Sequence, residues 1–262
     1  MPFRARTLHE GDALKVRLCH YGPDDAMAMH AHDCHQLSWV LAGEFREITR
    51  SDEADVSGPS AALKPAGLDH ADAYGPDGAL IFSINIGEDR YRALAGDSAM
   101  MRPGWRPVSG ASNAGEGLDR LSDLVSAGDT DTAEMAVADI VALASARPDA
   151  TDSRRREVPR WLQDVRDRLR DTRGEADLQA CAEDAGVHRV HLSRSFTRHF
   201  GMTPSLYRTR CRLAAALMRI THGLPLAEAA YEAGFADQSH FTRWARRETG
   251  LPPRRLQQLF AA

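Results

Sequence analysis

Residues 178–204 read LQACAEDAGVHRVHLSRSFTRHFGMTP, and residues 226–253 read LAEAAYEAGFADQSHFTRWARRETGLPP. The two stretches repeat one pattern at an offset of 48 residues: a Leu, small residues four and seven positions later, and a Gly at the eighth. A helix of this kind has a flat inner face and ends in a residue that tolerates a positive φ. We therefore expect a second helix to pack closely against the first in each copy.

An amphipathic second helix follows each glycine. In the first copy Leu192, Phe196 and Phe200 lie four residues apart on one stripe. In the second copy Asp237 suits a helix N-cap and Phe241 heads the buried face. A small helix, a glycine turn and a second helix with a polar exposed face predict a helix-turn-helix, which lays its second helix in a major groove. The chain is therefore expected to contain two such units.

The segment between the units predicts a stiff helical spacer. Thr203 suits the N-cap, Pro204 the first helical position, and apolar residues recur at helical spacing through residue 221. Eighteen residues span about 27 Å, close to the ~34 Å between successive major-groove faces on one side of B-DNA. We expect one chain to contact two adjacent turns of a duplex.

Charge divides the chain into an acidic and a basic part. Residues 1–153 hold 13 Lys and Arg against 25 Asp and Glu, a net charge of −12. Residues 154–262 hold 20 basic residues, all Arg, against 12 acidic ones, a net charge of +8. The net positive charge of the second part favours binding to a polyanion. Charge alone leaves open the alternative that these arginines form a solvated surface.

The composition is that of a globular protein: 262 residues suggest about two domains, with 43% hydrophobic and 27% charged residues. No stretch approaches the ~18 apolar residues of a membrane span, and the start lacks a signal-peptide run. The four cysteines are scattered, which disfavours a disulfide framework or a cysteine zinc ribbon. We expect a cytoplasmic protein with reduced thiols and no membrane partner.

We predict a two-domain α+β fold. Residues 1–108 contain short alternating runs broken by Gly and Pro, and are expected to form a ligand-sensing β-barrel of short strands. Residues 109–147 predict a helical hairpin that either packs on the β half or joins two chains as a homodimer. Residues 148–157 are expected to be a linker, and residues 158–262 an all-α DNA-binding domain.

The basic half resembles the DNA-binding domain of AraC/XylS-type transcriptional regulators, over roughly residues 158–258. The matching motifs are Gly186-Val187-x-x-x-x-Leu192-Ser193-Arg194-x-Phe196-x-x-x-Phe200-Gly201-x-x-Pro204 and Ala229-x-x-x-x-Gly234-Phe235-x-Asp237-Gln238-Ser239-x-Phe241-x-Arg243. One departure is Ala245, preceded by Trp244, where the family usually has a second Phe. We therefore expect the second recognition helix to be rotated or less firmly packed.

The resemblance implies which side chains contact double-stranded DNA. Residues expected at base edges are Val190, Ser193 and Arg194 in the first recognition helix, and Gln238, Ser239, Thr242 and Arg243 in the second. The chemistry agrees, because Arg binds guanine bidentately, Gln binds adenine, and Ser or Thr binds either. Arg198 and Arg246 are expected on phosphates. RNA polymerase is a candidate further partner.

Histidines in the acidic half suggest a ligand or metal site. An expected strand through residues 30–36 places His30, His32, Cys34 and Gln36 on one face, and His70 follows a Pro-Gly turn. A barrel would bring His30, His32 and His70 together, and three imidazoles on one cation leave a position open for a ligand.

This half resembles a cupin over about residues 20–90. The matching positions are His30, His32, Gln36 and Gly43 in the first motif, and Gly58, Pro65, Gly67 and His70 in the second. The resemblance implies a small-molecule effector at His30, His32, Gln36 and His70, with a divalent metal at the histidines as candidate cofactor. Because Gln36 replaces a carboxylate, metal affinity is expected to be reduced. A metal-free barrel is the alternative.

Together the two resemblances imply a non-enzymatic transcriptional regulator controlled by a small ligand or metal. A cupin metalloenzyme, an oxygenase or isomerase using His30, His32 and His70, is one alternative. The missing Glu and the lack of a general base beside the motif count against it. A DNA-binding protein whose barrel only dimerises is another alternative. The effector and the target promoter are not identified by the sequence.

Overall fold

The computed structural model describes residues 3–95, 105–107, 158–172 and 175–261. An antiparallel sheet precedes a group of helices, which confirms the predicted α+β class. The predicted helical hairpin, the dimer contact and the linker lie outside the described residues, so those domain boundaries remain predictions. No helix within the described ranges is both long enough and apolar enough to cross a membrane.

The described chain contains eight strands and eight helices. The strands are β1 (Arg4–Glu10), β2 (Leu14–Tyr21), β3 (Ala26–His30), β4 (His35–Thr49), β5 (Glu53–Ser57), β6 (Ser60–Lys64), β7 (His70–Ile86) and β8 (Arg106–Pro107). The helices are α1 (Glu88–Ala95), α2 (Arg160–Asp171), α3 (Leu178–Asp184), α4 (Arg189–Phe200), α5 (Pro204–Thr221), α6 (Leu226–Glu232), α7 (Gln238–Thr249) and α8 (Pro253–Ala261).

Two long strands organise the sheet. β4 has 15 residues and β7 has 17, longer than the short strands that the sequence predicted, whereas β3, β5 and β6 have five residues each. The two pair with each other along most of their length, and the strand order is β1-β2-β7-β4-β6-β8, with β3 beside β7 and β5 beside β4. All of these pairs are antiparallel.

The sheet rolls on itself within β4. In a straight strand Gln36 and Glu47 would lie about 35 Å apart. Lys64 pairs directly with Gln36 across the ladder, yet its ammonium forms an ion pair with the Glu47 carboxylate. The two ends of β4 are therefore close in space, and the bend coincides with two register shifts between residues 40 and 45.

Two glycines permit this bend. Gly43 has a φ of 88° and Gly78 a φ of 66°, both in the left-handed region. A Cβ on Gly43 would lie 2.1 Å from the Gly78 carbonyl oxygen, and one on Gly78 would lie 2.1 Å from the Tyr21 carbonyl oxygen. The three backbone segments approach each other so closely that neither position accepts a side chain.

Replacing Gly43 by Ala is expected to lower the free energy of unfolding by more than about 2 kcal/mol, since it adds both a clash and an unfavourable φ. Urea denaturation followed by circular dichroism measures the change. Gly87→Ala is the matched control, because its Cβ would meet atoms only at 3.7 Å and beyond; a change within about 0.5 kcal/mol is expected. Equal losses in both variants would contradict this account of the bend.

One face of the sheet is apolar and is covered by the helices. Leu37 and Trp39 on β4 are buried, and they alternate with polar Gln36 and Ser38. The largest apolar core is continuous between the two parts of the chain. It contains Val16, Leu18, Leu37, Trp39, Phe82 and Ile84 from the sheet, and Leu213, Leu217, Ile220, Phe241 and Leu256 from the helices.

Polar contacts also attach the helices to the sheet. The Arg166 guanidinium on α2 donates to the Asp55 carboxylate at 3.0 Å. The Tyr207 hydroxyl on α5 donates to Glu44 Oε2, also at 3.0 Å. Arg4 on β1 donates to the backbone carbonyl of Thr221 at the end of α5. The helical half is therefore docked on the sheet by both an apolar core and charged groups.

His20 is completely buried where β2 meets the helices. Its ring lies edge-on to the His222 ring, with 4.8 Å between centroids, and neither of its nitrogens has a hydrogen-bond partner among the described residues. Burial, followed by the nearby His222 and Arg4, lowers the pKa of His20 from 6.5 to about 4. The folded state therefore favours the neutral ring.

This buried histidine predicts a pH dependence of stability. The unfolded chain binds a proton at His20 below about pH 6.5, whereas the folded chain binds it only near pH 4, so the His20 contribution to stability falls as the pH drops through this range. His20→Phe is expected to reduce the stability difference between pH 7 and pH 4.5 by about 2 kcal/mol, measured by urea denaturation at both values. The exposed His191→Gln is the control. A wild-type difference retained in His20→Phe would refute the assignment.

Candidate nucleic-acid interface and a buried histidine cluster

Helices α3 and α4 form the first helix-turn-helix unit. Asp177 caps α3 by accepting hydrogen bonds from two backbone N–H groups. The chain then turns at Gly186, whose φ is 65°. His188 caps α4 because its Nδ1 accepts from the Val190 N–H at 3.2 Å, and Gly201 ends the helix in the left-handed conformation.

The two faces of α4 differ in exposure. Leu192 and Phe196 are buried against α3, α2 and α5 in a separate apolar cluster. Val190 is an apolar side chain that is 49% exposed. The positions predicted for DNA contacts are all at least partly accessible: Val190, Arg194 and Arg198 are exposed, and Ser193 is half-buried. The polar flank of α4 is thus available to a partner.

Helices α6 and α7 form the second unit. The Asp237 carboxylate caps α7 by accepting from the His240 N–H at 2.6 Å, as the sequence predicted. Phe241 and Ala245 are buried at the inner face of the helix. The predicted DNA-contact residues again lie outside: Gln238, Ser239, Arg243 and Arg246 are exposed, and Thr242 is half-buried.

The second recognition helix is firmly packed, which corrects the expectation drawn from Ala245. Phe241, Ala245 and Thr249 are all fully buried and repeat every four residues, as Leu192 and Phe196 do in α4. In both α4 and α7 the buried residues lie four and eight positions after the N-cap, so the two helices turn the same face toward the core. The turn in the second unit is one residue longer. The N-cap Asp237 lies three residues after Gly234, whereas the N-cap His188 lies two residues after Gly186.

Trp244 lies beside the buried stripe of α7 and does not replace it. Its Nε1 donates to His240 Nε2 at 3.0 Å, and the Arg247 guanidinium lies 4.2 Å above its ring. Arg247 also pairs with Glu248. These contacts hold the side of α7 that does not carry the predicted DNA-contact residues.

The arginines of the helical half fall into two groups. Some are engaged within the protein: Arg210 pairs with Glu248 and Arg219 with Glu232, both at 2.8 Å. Four others make no hydrogen bond or ion pair with any residue that the structure describes, and they are Arg194, Arg198, Arg243 and Arg246. Arg160 on α2, Arg189 at the start of α4 and Arg254 on α8 also lack such partners within the described ranges, and α4 and α7 each carry at least two unengaged arginines on their exposed faces.

Helix α5 connects the two units as the sequence predicted. It runs from Pro204 to Thr221, and Thr203 caps it by accepting from the Leu206 N–H at 3.2 Å. Its 18 residues span about 27 Å. It packs against helices of both units and against β4 and β7 of the sheet.

In the sheet, three histidines converge. The ring centroids lie 4.3 Å apart for His30 and His70, 5.0 Å for His30 and His32, and 5.3 Å for His32 and His70. One nitrogen of each ring lies within 4.8 Å of the other two. His30 Nδ1 donates to the Ala28 carbonyl and His70 Nδ1 to the Leu68 carbonyl, so the Nε2 of each ring keeps its lone pair.

Residues 30–36, which carry two of these histidines, do not form the single strand that the sequence predicted. β3 ends at His30 and β4 begins at His35, with a turn between them. The His32 carbonyl accepts from the Gly67 N–H at 2.8 Å, which holds the turn beside the loop that leads to His70. Burial lowers the pKa of His32 to about 4 and also lowers that of His70. Neutral imidazoles, the form that binds metals, are therefore favoured.

Gln36 is engaged in a separate hydrogen-bond network. Its Nε2 donates to Ser83 Oγ at 3.2 Å and to Asn85 Oδ1 at 3.3 Å, and its Oε1 accepts from Ser38 Oγ at 3.2 Å. The amide is therefore satisfied by polar side chains of β4 and β7. Of the four residues predicted for the ligand site, three form the histidine cluster.

Three buried charged residues beside the cluster were missed by sequence reasoning. They are Glu47, Lys64 and Asp72, each less than 10% exposed. One ligand atom of each of Glu47, His70 and Asp72 lies within 4.8 Å of the others, so His70 belongs to both groups. The period of two places Asp72 on the same face of β7 as His70, and that signal was available in the sequence. The position of Glu47 opposite Asp72 depends on the strand register.

A small, partly open pocket lies between the sheet and the helices. Its lining includes Glu44 and Asp77 from the sheet, and Arg170, Tyr207 and Arg210 from the helices. Burial raises the pKa of the Glu44 carboxyl, while Arg170 and the Tyr207 hydroxyl oppose the rise. Because its lining comes from both parts of the chain, sequence periodicity did not reveal this pocket.

Comparison with known proteins identifies the helical half. Residues 181–258 match a family described as helix-turn-helix domain. The chain is 31% identical over 109 residues to the HTH-type transcriptional activator RhaS of Escherichia fergusonii, covering 41% of this chain and 37% of RhaS. The match thus spans well under half of that relative. Residues 181–258 are therefore a helix-turn-helix domain, and the resemblance to AraC/XylS-type regulators is confirmed for this domain.

Solved structures similar to the chain include two kinds of protein. A cupin superfamily protein from Desulfitobacterium hafniense has 16% identity and a TM-score of 0.31, covering 33% of this chain and 78% of that protein. A structure of ToxT from Vibrio cholerae has 10% identity and a TM-score of 0.37, covering 96% of this chain and 100% of that protein.

The cap of α7 yields a testable prediction. Asp237→Ala is expected to lower the free energy of unfolding by about 1 kcal/mol, because the His240 N–H loses its acceptor. Chemical denaturation of the full chain measures this. Asp237→Asn retains an acceptor oxygen and should lose less than half as much; a loss equal to that of Ala would mean that charge, and not the cap hydrogen bond, stabilises the helix.

Proposed function

We propose that this chain is a sequence-specific DNA-binding transcriptional regulator that inserts α4 and α7 into successive major grooves and is controlled by a small ligand or metal in its sheet domain. The observation that carries the proposal is the pair of capped 12-residue helices, each with unengaged arginines on its exposed face. Similarity to the transcriptional activator RhaS supports this function, and no enzymatic role is proposed.

The exposed side chains on the two helices suit different parts of a duplex. Arg194 and Arg243 have the donors to bind guanine O6 and N7, while the exposed Val190 suits a thymine methyl group. Arg198 and Arg246 lie farther along each helix and suit phosphates, which position the protein without reading the sequence. Specificity then depends on the first half of each helix, and affinity on both halves.

The spacer length supports contact with two turns of DNA. The ~27 Å length of α5 is near the ~34 Å between groove faces on one side of a duplex. Since α5 packs against both units, their separation is fixed by a folded helix and not by a flexible tether. A fixed spacing favours DNA sites whose two half-sites lie one helical turn apart.

Control by the sheet domain requires that a ligand favour one arrangement of the two halves. β4 supplies a direct route for this. Glu44 on β4 accepts from the Tyr207 hydroxyl on α5, and Glu47, three residues later, lies at the buried cluster beside His70. A change in β4 at the cluster would therefore alter the contact with the spacer helix. The homodimeric state and contact with RNA polymerase are further parts of the proposal.

Two arginine substitutions test the DNA interface. Arg194→Ala is expected to weaken binding to a selected site by ~1–3 kcal/mol and to relax base preference at one position. Arg198→Ala is expected to weaken binding to selected and random duplexes alike, and to reduce the salt dependence by about one phosphate contact. Fluorescence anisotropy with duplexes selected in vitro by the purified full chain measures both effects.

Arg50→Ala in the sheet domain is the matched control, because this arginine is exposed and distant in sequence from the helices. No change in DNA affinity is expected. The proposal fails if the wild-type chain selects no preferred sequence, or if Arg194→Ala and Arg198→Ala lose equal affinity on selected and random DNA.

A further inference from the structure

We propose that the buried contact between His20 and His222 is a proton-sensitive switch that couples the sheet to the second helix-turn-helix unit and not to the first. Protonation of His20 separates β2 from the end of α5 and changes the position of α7, while α4 keeps its place. The consequence for DNA rests on the proposed function. The coupling itself rests only on the contacts between the sheet and the helices.

His20 lies where β2 meets the ends of two helices. Its ring centroid is 4.8 Å from that of His222, the C-cap of α5, and 6.4 Å from that of Phe260 on α8. The residue is fully buried, and neither ring nitrogen has a hydrogen-bond partner among the described residues. A buried polar group without a partner is costly, and a buried charge costs more. The ring therefore contributes to the contact only while it is neutral.

The groups around the ring do not compensate a proton on it. Arg4 is the direct cross-strand neighbour of His20 on β1, and its charge, that of the amino terminus and His222 all disfavour the protonated ring. Asp25 favours it, but Asp25 Oδ2 already accepts from the Gly22 N–H at 2.7 Å. The neighbours from the other packed elements, Leu80 of β7 and Phe260 of α8, carry no charge.

Neighbouring hydrogen bonds hold the positive groups at this contact. The Arg4 guanidinium donates to the Thr221 carbonyl at 3.1 Å and lies 5.9 Å from the centre of the Phe260 ring. His222 Nδ1 donates to the Met218 carbonyl at 2.7 Å. Since these contacts fix both groups, separation of β2 from the helices is the direct way to return a protonated His20 to water.

The direction of the pH effect follows from the two states of the ring. Burial, as the largest cause, lowers the pKa of His20 to about 4 in the docked chain, whereas a ring in water has a pKa of about 6.5. Below pH 6.5 the separated form therefore binds the proton more tightly, and docking weakens by about tenfold per pH unit until pH 4. Above pH 7 the docked form is unaffected.

The second unit shares its apolar core with the sheet, whereas the first has a core of its own. Phe241 of α7 and Leu256 of α8 belong to the same cluster as Phe82 of the sheet. Leu192 and Phe196 of α4 belong to a separate cluster, whose described members include no sheet residue. Movement between the sheet and the helices therefore disturbs the packing of α7 and leaves that of α4 intact.

His222 also begins the link from α5 to the second unit. Residues 222–225 connect α5 to α6, and Gly223 has a φ of 92°, in the left-handed region. The Leu224 carbonyl in this link accepts from Gln257 Nε2 on α8 at 2.7 Å. Displacement at His222 is thus passed to both α6 and α8, which flank α7.

The first test measures backbone hydrogen exchange of the full chain by mass spectrometry at pH 7 and pH 5.5, corrected for the intrinsic exchange rate. Protection of β2 and α8 is expected to fall about eightfold at pH 5.5, and that of α4 to stay within about twofold. His20→Phe keeps a buried aromatic ring that does not titrate, so the pH effect should disappear. His191→Gln, on the exposed side of α4, is the control and should retain it.

The second test reads the same change through DNA. Anisotropy titrations with a selected duplex give the affinity lost on Arg243→Ala in α7 and on Arg194→Ala in α4, at both pH values. The Arg243 loss is expected to shrink at least threefold at pH 5.5, because α7 is displaced, while the Arg194 loss stays the same. In the His20→Phe background neither loss should depend on pH.

Unchanged protection of β2 and α8 between the two pH values would overturn the inference, as would an equal fall in α4. These wild-type comparisons decide the matter even if His20→Phe does not fold, which circular dichroism at pH 7 checks. A pH effect that persists in a folded His20→Phe chain also overturns it. A chain that shows the exchange pattern but selects no DNA site contradicts only the proposed function, and one that selects DNA without the pattern contradicts only the switch.

Discussion

Burial of α5 is the constraint on which the arrangement of the molecule depends. Eleven of its eighteen residues are buried, because helices of both helix-turn-helix units pack on it on one side and the sheet on the other. Three consecutive alanines, residues 214–216, let these elements approach closely. Tyr207, near its start, reaches the sheet through Glu44. Because α5 contacts both helix-turn-helix units and the sheet, it sets the distance between α4 and α7 and ties it to the sheet.

The two halves use polar groups in opposite ways. On the recognition helices, arginines such as Arg194 and Arg243 are left without partners at the surface, where water solvates them until a polyanion arrives. Within the rolled sheet, charged groups are buried and must be compensated. Lys64 compensates Glu47, and His70 lies beside Asp72, so the interior contains a localised polar cluster rather than a uniformly apolar core. This difference separates the surface proposed for DNA contact from the cluster proposed for sensing.

Much of the helical half was predictable because its signals are local. The caps Thr203 and Asp237 and the glycine turns after α3 and α6 each act within a few residues, and the structure places them where the sequence indicated. The packing of α7 was not predictable from the family pattern. Ala245 is buried where a larger residue was expected, and Trp244 packs to one side by bonding to His240. The burial of Ala245 depends on residues distant in sequence, such as Leu213 and Leu217 of α5 in the same apolar core.

The sequence by itself determined the fold class, the paired units, the spacer helix and the three histidines, because periodicity, capping and motif spacing are properties of short segments. Only the tertiary structure decided the surroundings of those histidines. Strand register places Glu47 opposite Asp72, and the bend at Gly43 and Gly78 brings Lys64 to Glu47. Register and curvature are set by long-range pairing and close backbone contact, so no local pattern in the chain encodes which buried charges meet.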